Sequence, residues 1–230
     1  MKLKSIFLLM VIFLIISCNN SKNSESFIQK TTGRYLYNSD ELIDVYFKEN
    51  ILFLKWRGAT TIKPLKISEN TFFVKEMNEK IQFLTNPADG KEYIVLVPKE
   101  RDKTIVFNYR KLEDAEKIPS EYLKEGNYNK AVQAYLAIQK KDSLDSAIKE
   151  RNFNSFGYKE LRNKNFEKAI QLFRINVALY PNSSNVYDSL AEAYMKSGDT
   201  INAITNYKKS LLLDSGNQRA KRNIKRLEKK

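Results

Sequence analysis

The chain contains no histidine among its 230 residues. That removes the commonest general base near neutral pH, the usual activator of a catalytic serine and the commonest ligand of borderline metals, which excludes Ser-His-Asp, Cys-His and histidine-based zinc sites. Cysteine is almost as scarce. Cys18 stands alone, so no disulfide or thiolate cluster can form within the chain. With seven glycines there is little material for a phosphate cradle, and neither a phosphate loop nor Gly-x-Ser-x-Gly is present. Calcium-loop spacing is missing too. These absences lead to the expectation of a protein that is not an enzyme, with no cofactor and no bound metal.

Two strings of residues invite a catalytic reading. Ser146-Ala-Ile-Lys149 has the Ser-x-x-Lys form of penicillin-recognising serine enzymes, but no Lys-Thr-Gly or Ser-Asp-Asn follows it. Ser146 and Lys149 are therefore expected on the exposed face of a helix. Glu113, Asp114 and Glu116 cluster between Lys111 and Lys117, and alternating charge of this kind describes a solvated face rather than an acid/base pair.

What is present begins with Met1-Lys-Leu-Lys, followed by eleven apolar residues from Ile6 to Ile16. A membrane span needs about 20 apolar residues, so this run fits the core of a signal peptide over 1–17. Ile15-Ile16-Ser17-Cys18 resembles a lipobox, which implies cleavage before Cys18 and acylation of its thiol by chains such as palmitate. The alternatives are an uncleaved anchor and an ordinary signal with an incidental cysteine. Asn19, not Asp, follows, and by analogy with sorting in some diderm bacteria this points to the outer membrane of the cell envelope. Net charge is +13, falling to +11 once Lys2 and Lys4 leave with the signal. An exported lipoprotein rarely meets nucleic acid, so the surplus is read as attraction to anionic lipid, lipopolysaccharide or acidic proteins.

Residues 18–26 read as a flexible polar tether. From 27 to 112 the pattern has period two and is rich in aromatic and β-branched residues. Leu42-Ile-Asp-Val-Tyr-Phe47, Ile51-Leu-Phe-Leu-Lys-Trp56, Thr71-Phe-Phe-Val74, Lys80-Ile-Gln-Phe-Leu84, Tyr93-Ile-Val-Leu-Val97 and Thr104-Ile-Val-Phe-Asn-Tyr109 read as strands. Turn signals separate them, among them Lys48-Glu-Asn50, Arg57-Gly-Ala59, Asn86-Pro-Ala-Asp-Gly90 and Pro98-Lys-Glu-Arg-Asp102. Six to eight short antiparallel strands predict a small β-barrel or sandwich. Gly33-Arg-Tyr35, the segment Pro64 to Phe73, Ile81-Gln-Phe83 and Asp89-Gly90-Lys91 resemble the accessory β-domain of β-lactamase-like serine hydrolases, without the catalytic domain. That resemblance implies packing or ligand contact and no chemistry.

The C-terminal half repeats itself at a spacing of 34 residues. Gly157, Ala169, Phe173 and Pro181 recur as Ala191, Ala203, Tyr207 and Ser215. This pattern of small residues and aromatics resembles the tetratricopeptide (TPR) repeat, which implies paired helices stacked into a solenoid that binds other proteins. The expected organisation is a junction with a degenerate repeat over 113–149, two repeats over 150–217 and a basic capping helix over 218–230. Ala131 precedes Ala169 by 38 residues, so the degenerate unit carries about four extra. The fold class expected is thus α+β multidomain, a small antiparallel β-domain followed by an α-helical solenoid.

Under this register the partner-binding positions fall at Asn154, Tyr158 and Arg162, then Asp188, Glu192 and Lys196, then Arg222 and Arg226. They describe a groove with an acidic centre and a basic end. The functional expectation is a non-catalytic, membrane-anchored lipoprotein that binds envelope proteins as an adaptor or assembly factor. Two alternatives stand beside it. One is a regulatory or substrate-presenting subunit of a separate envelope hydrolase; the other is small-ligand binding by the β-domain, in a pocket lined by Trp56, Tyr46 and Phe53.

Overall fold

A computed structural model describes residues 22–100 and 104–229. The signal-peptide reading of 1–17, Cys18 and part of the 98–102 turn lie outside the described residues. The chain divides into two units, residues 1–116 and 117–230. Among the described residues no helix is long and apolar enough to cross a membrane.

The first unit opens with a short helix, α1 (Glu25–Thr31), started by Ser24, whose hydroxyl accepts from the Phe27 amide. Asn23 is buried, and its backbone and side-chain amides both donate to the Asn50 carbonyl, at 2.8 and 2.9 Å. The segment expected as tether is therefore already fixed from Asn23 onward. Local capping chemistry and one apolar side chain outweigh a polar composition here. Phe27 inserts into the β-unit, its ring 5.5 to 6.1 Å from those of Phe47, Phe72 and Phe83.

Nine strands follow among the described residues. The first sheet holds, in order, β1 (Gly33–Asn38), β2 (Glu41–Lys48), β3 (Ile51–Trp56) and β4 (Ala59–Ile62). The second holds β5 (Leu65–Lys66), β6 (Thr71–Val74), β7 (Glu79–Thr85), β8 (Glu92–Leu96) and β9 (Tyr109–Arg110). All pairings are antiparallel. The hairpin turns are tight because Glu49-Asn50 and Arg57-Gly58 take positive φ at both central positions, the geometry that matches strand twist. Alternation sends Ile43, Val45, Leu52, Leu54, Phe72, Val74, Ile81 and Phe83 into one core.

Tyr35 and Lys111 form a bridge between β1 and the end of β9, joining the two sheets along one edge. On the other side β4 and β5 are not paired, so the barrel expected from strand spacing does not close. Pro64 sits at that seam and has no N–H to donate. Thr104–Asn108 differs from expectation as well. Asn108 bonds the Leu96 amide through its side chain at 2.9 Å instead of a backbone ladder, and only Tyr109–Arg110 pairs as strand.

The second unit consists of consecutive helices: α2 (Pro119–Lys124), α3 (Tyr128–Lys141), a 3-10 turn (Ser146–Ile148), α4 (Glu150–Arg162), α5 (Phe166–Leu179), α6 (Ser184–Ser197), α7 (Thr200–Leu213) and α8 (Gln218–Leu227). α4, α6 and α8 start 34 residues apart, as do α5 and α7. The second helix of each pair begins behind an Asn or Asp, and Asn127 and Asp199 accept from the amides three residues on. Ala131, Ala169 and Ala203 are fully buried, and so are Phe173 and Tyr207. Gly157 explains its own identity: a Cβ there would come within 2.5 Å of the Phe173 ring. Ser146 and Lys149 are exposed as expected, but Ser146 opens a 3-10 turn and Lys149 follows it, rather than both riding on an α-helix.

Candidate functional site

Three first helices bring side chains together on one face of the helical unit. Tyr158 on α4 donates to Glu192 Oε2 on α6 at 3.2 Å and lies 3.3 Å from Ser189 Oγ. Arg219, near the start of α8, reaches both acids of α6: its Nη1 is 2.9 Å from Glu192 Oε2, and its Nη2 bonds Asp188 Oδ2 and the Tyr158 hydroxyl. Lys196 adds a further contact, 3.4 Å from Glu192 Oε1 one helical turn away. The Tyr158 ring packs edge-on against Phe173 at 5.3 Å, so the repeat core fixes its position.

Asp188 is only 5% exposed, and its Oδ1 has no hydrogen-bond partner among the described residues. A carboxylate so deeply placed needs a counter-charge, and Arg219 supplies it. The acidic centre expected from sequence is thus neutralised from within. Arg162 and Arg222 are exposed and carry no hydrogen bond or ion pair among the described residues, while Arg226 bonds Asn223 and lies 2.9 Å from Met195 Sδ. Asn154 is half-buried with its Oδ1 unpaired. This face offers cations whose charge is not compensated.

Of the eight groove positions expected from sequence register, the structure brings Tyr158, Asp188, Glu192 and Lys196 into one cluster. The register missed Arg219, which occupies the second position of its helix rather than the expected positions. A long guanidinium stem covers the difference, since it reaches about a full helical turn. The available signal was its spacing of three from Arg222, which puts both on one face. At the edge of the cluster Tyr207 is pushed up to about 12, chiefly by burial, and Asn223 donates to its hydroxyl at 2.8 Å.

The β-unit offers a different picture from the expected ligand pocket. Tyr46 and Phe53 are cross-strand partners stacked at 5.6 Å, whereas Trp56 lies on the opposite face of β3 and packs against Tyr37 and Arg57. Period-two alternation separates them, so they do not line one cavity. A cleft of about 310 Å³ lies instead beside α1, among Phe27, Lys30, Asn70, Phe83 and Glu92. The junction carboxylates also separate: Glu113 and Asp114 are exposed, while Arg110 takes both oxygens of Glu116 at 2.5 and 2.9 Å.

Residues 184–217 match the tetratricopeptide repeat family model. Superkiller protein 3 of Schizosaccharomyces pombe is 34% identical over 85 residues, which cover 35% of this chain. The chain spans 6% of that relative's length. Among solved structures, the first TPR of Spaghetti (RPAP3) bound to the HSP90 peptide SRMEEVD is similar at 19% identity and a TM-score of 0.35, over 48% of this chain and 85% of that one. A crystal structure of MamA is similar at 17% identity and a TM-score of 0.35, over 50% and 84% of the respective chains. Helix spacing and family model agree that residues 184–217 form a tetratricopeptide repeat within a larger helical unit.

Proposed function

We propose that this protein is a lipoprotein of the bacterial envelope, acylated at Cys18, whose helical repeats hold partner proteins as a non-catalytic adaptor or assembly factor. The observation that carries the binding role is the charge state of the first-helix face. Both acids there are engaged internally, by Arg219, Tyr158 and Lys196, whereas Arg162 and Arg222 are exposed and uncompensated. A surface of this kind selects an extended partner segment bearing acidic groups, because complementary charge speeds encounter and rejects cationic competitors. The lipobox-like sequence and basic mature chain support a site of action at the outer membrane, with envelope proteins as partners.

Crosslinking in the protein's own cells tests the binding role, comparing the intact chain with an Arg162→Glu, Arg222→Glu variant. Both positions are exposed, so the fold is retained while the charge reverses. A small set of crosslinked envelope proteins lost in the variant supports the proposal; an unchanged set overturns the assignment to this face. The anchor is tested separately. Cys18→Ala is expected in the soluble fraction, and a variant that stays membrane-bound refutes acylation as the attachment.

A further inference from the structure

We infer that the outer face of β5 and β6 is a membrane-docking surface that lays the β-unit against the anionic bilayer to which Cys18 is attached. The inference rests on the lipid-anchor reading above and adds to it a specific surface. Leu65 pairs with Phe73 and Lys66 with Phe72. Since Phe72 is in the core, Lys66 faces inward, and Leu65, Ile67 and Phe73 share the outer face. Leu65 is 65% exposed and Ile67 47%, two of the large apolar side chains that the fold leaves in solvent.

The place of this patch relative to the anchor decides what covers it. Lys66 Nζ donates to the Lys22 carbonyl at 2.6 Å, so the described chain begins at this same edge of the second sheet. Four residue steps separate Lys22 from Cys18, and they span at most about 14 Å. A lipid inserted through Cys18 therefore holds the bilayer surface within a short reach of β5, at high effective concentration. The surrounding charge is of the matching sign: Lys63, Lys75 and Lys80 are exposed around the apolar centre, against Glu69 and Glu76 in the adjoining turns. An apolar centre among lysines is the composition of an interfacial surface on anionic lipid. Edge-to-edge pairing with a second copy fits less well, because β5 contributes only two residues to its ladder and Pro64 precedes them.

The test uses the full lipidated chain carrying Ile67→Cys. Acylation consumes the thiol of Cys18, so an environment-sensitive fluorophore attaches at position 67 alone; Ala88→Cys, in the exposed turn that follows β7, is the control. Vesicles of phosphatidylethanolamine and phosphatidylglycerol are prepared with and without brominated acyl chains. A side chain seated in the headgroup and acyl boundary is expected to be quenched about threefold more at position 67 than at 88. Reversing Lys63 and Lys80 to Glu is expected to reduce that difference while Trp56 emission stays unchanged. Equal, weak quenching at both sites in vesicle-bound protein overturns docking and leaves the anchor standing. A mass for Cys18 without acyl chains overturns the anchor and the docking with it. Shielding of position 67 without lipid quenching, together with a dimeric mass, gives the surface to a second copy instead.

Discussion

The β-unit and the helical unit bury aromatic side chains by opposite routes. In the β-unit Phe27, Phe47, Phe72 and Phe83 come from four separate elements and meet in one cluster, so α1, β2, β6 and β7 depend on one another across the sequence. In the helical unit Phe173 fills a notch left by Gly157 in the preceding helix, and Tyr135 meets Phe153 across a neighbouring pair. There each core patch touches only the elements next to it, as expected of stacked repeats. One unit is a single cooperative knot; the other is a series of small joints.

The largest loss is expected at Phe72. Phe72→Ala removes a fully buried ring at the centre of the aromatic cluster and is expected to destabilise the β-unit by about 3–5 kcal/mol. Trp56, the only tryptophan, lies in this unit and reports its unfolding in a denaturant titration. A shift well under 1 kcal/mol would show that the cluster relaxes around the loss and that the knot is looser than the packing implies.

Gly157→Ala tests the joint. The added methyl meets the Phe173 ring, which must move, at an expected cost of about 1–3 kcal/mol. Backbone amides of α4 and α5 should exchange faster, with α8 nearly unaffected, since strain passes only to neighbours. Uniform loss of protection from α3 to α8 would instead make the helical unit one cooperative block. The equivalent position in the next repeat is Ala191, which shares a core patch with Tyr207.

The two units also differed in how readable they were. A 34-residue period carries its own registration, because each helix start is repeated one unit later, and first helices start at 150, 184 and 218 with that spacing. Alternation in the β-half located most strands but not how they associate. The open seam at Pro64, the plug formed by Phe27 and the loss of pairing at Thr104–Asn108 depend on contacts between residues far apart in sequence. Arg219 was missed for a related reason: a register argument ranks positions by Cα placement, whereas a long side chain acts from a turn away.

Arg219→Gln sharpens the picture of the helical unit. It leaves Asp188 buried without its counter-ion, and Arg219 is itself 43% exposed, so screening reduces the expected loss to about 1 kcal/mol. Arg219→Lys should restore part of it, because Lys keeps the charge and loses the fork that spans both acids. Equal stability of the Gln variant and the parent chain would show that water, not Arg219, satisfies Asp188.

The smallest effect compares the acids of the two units as pH falls. Glu116 in the β-unit is held below the usual carboxylate range, first by its hydrogen bonds from Arg110, and Asp199 in the helical unit is lowered by the Asn202 side chain and amide it caps. A carboxyl depressed in the folded state contributes stability above its unfolded pKa and loses it as pH drops through the folded value. With 37% of the Glu116 side chain exposed, the contribution is about 0.5–1 kcal/mol. Between roughly pH 5 and 3 the Trp56 transition should therefore weaken more in the parent chain than in Glu116→Gln. Asp199→Asn keeps a capping oxygen, so the helical transition at 222 nm should change less than the β-unit's over the same range. The reverse order would mean that the helix cap, rather than the Arg110–Glu116 pair, is the acid-sensitive contact of this protein.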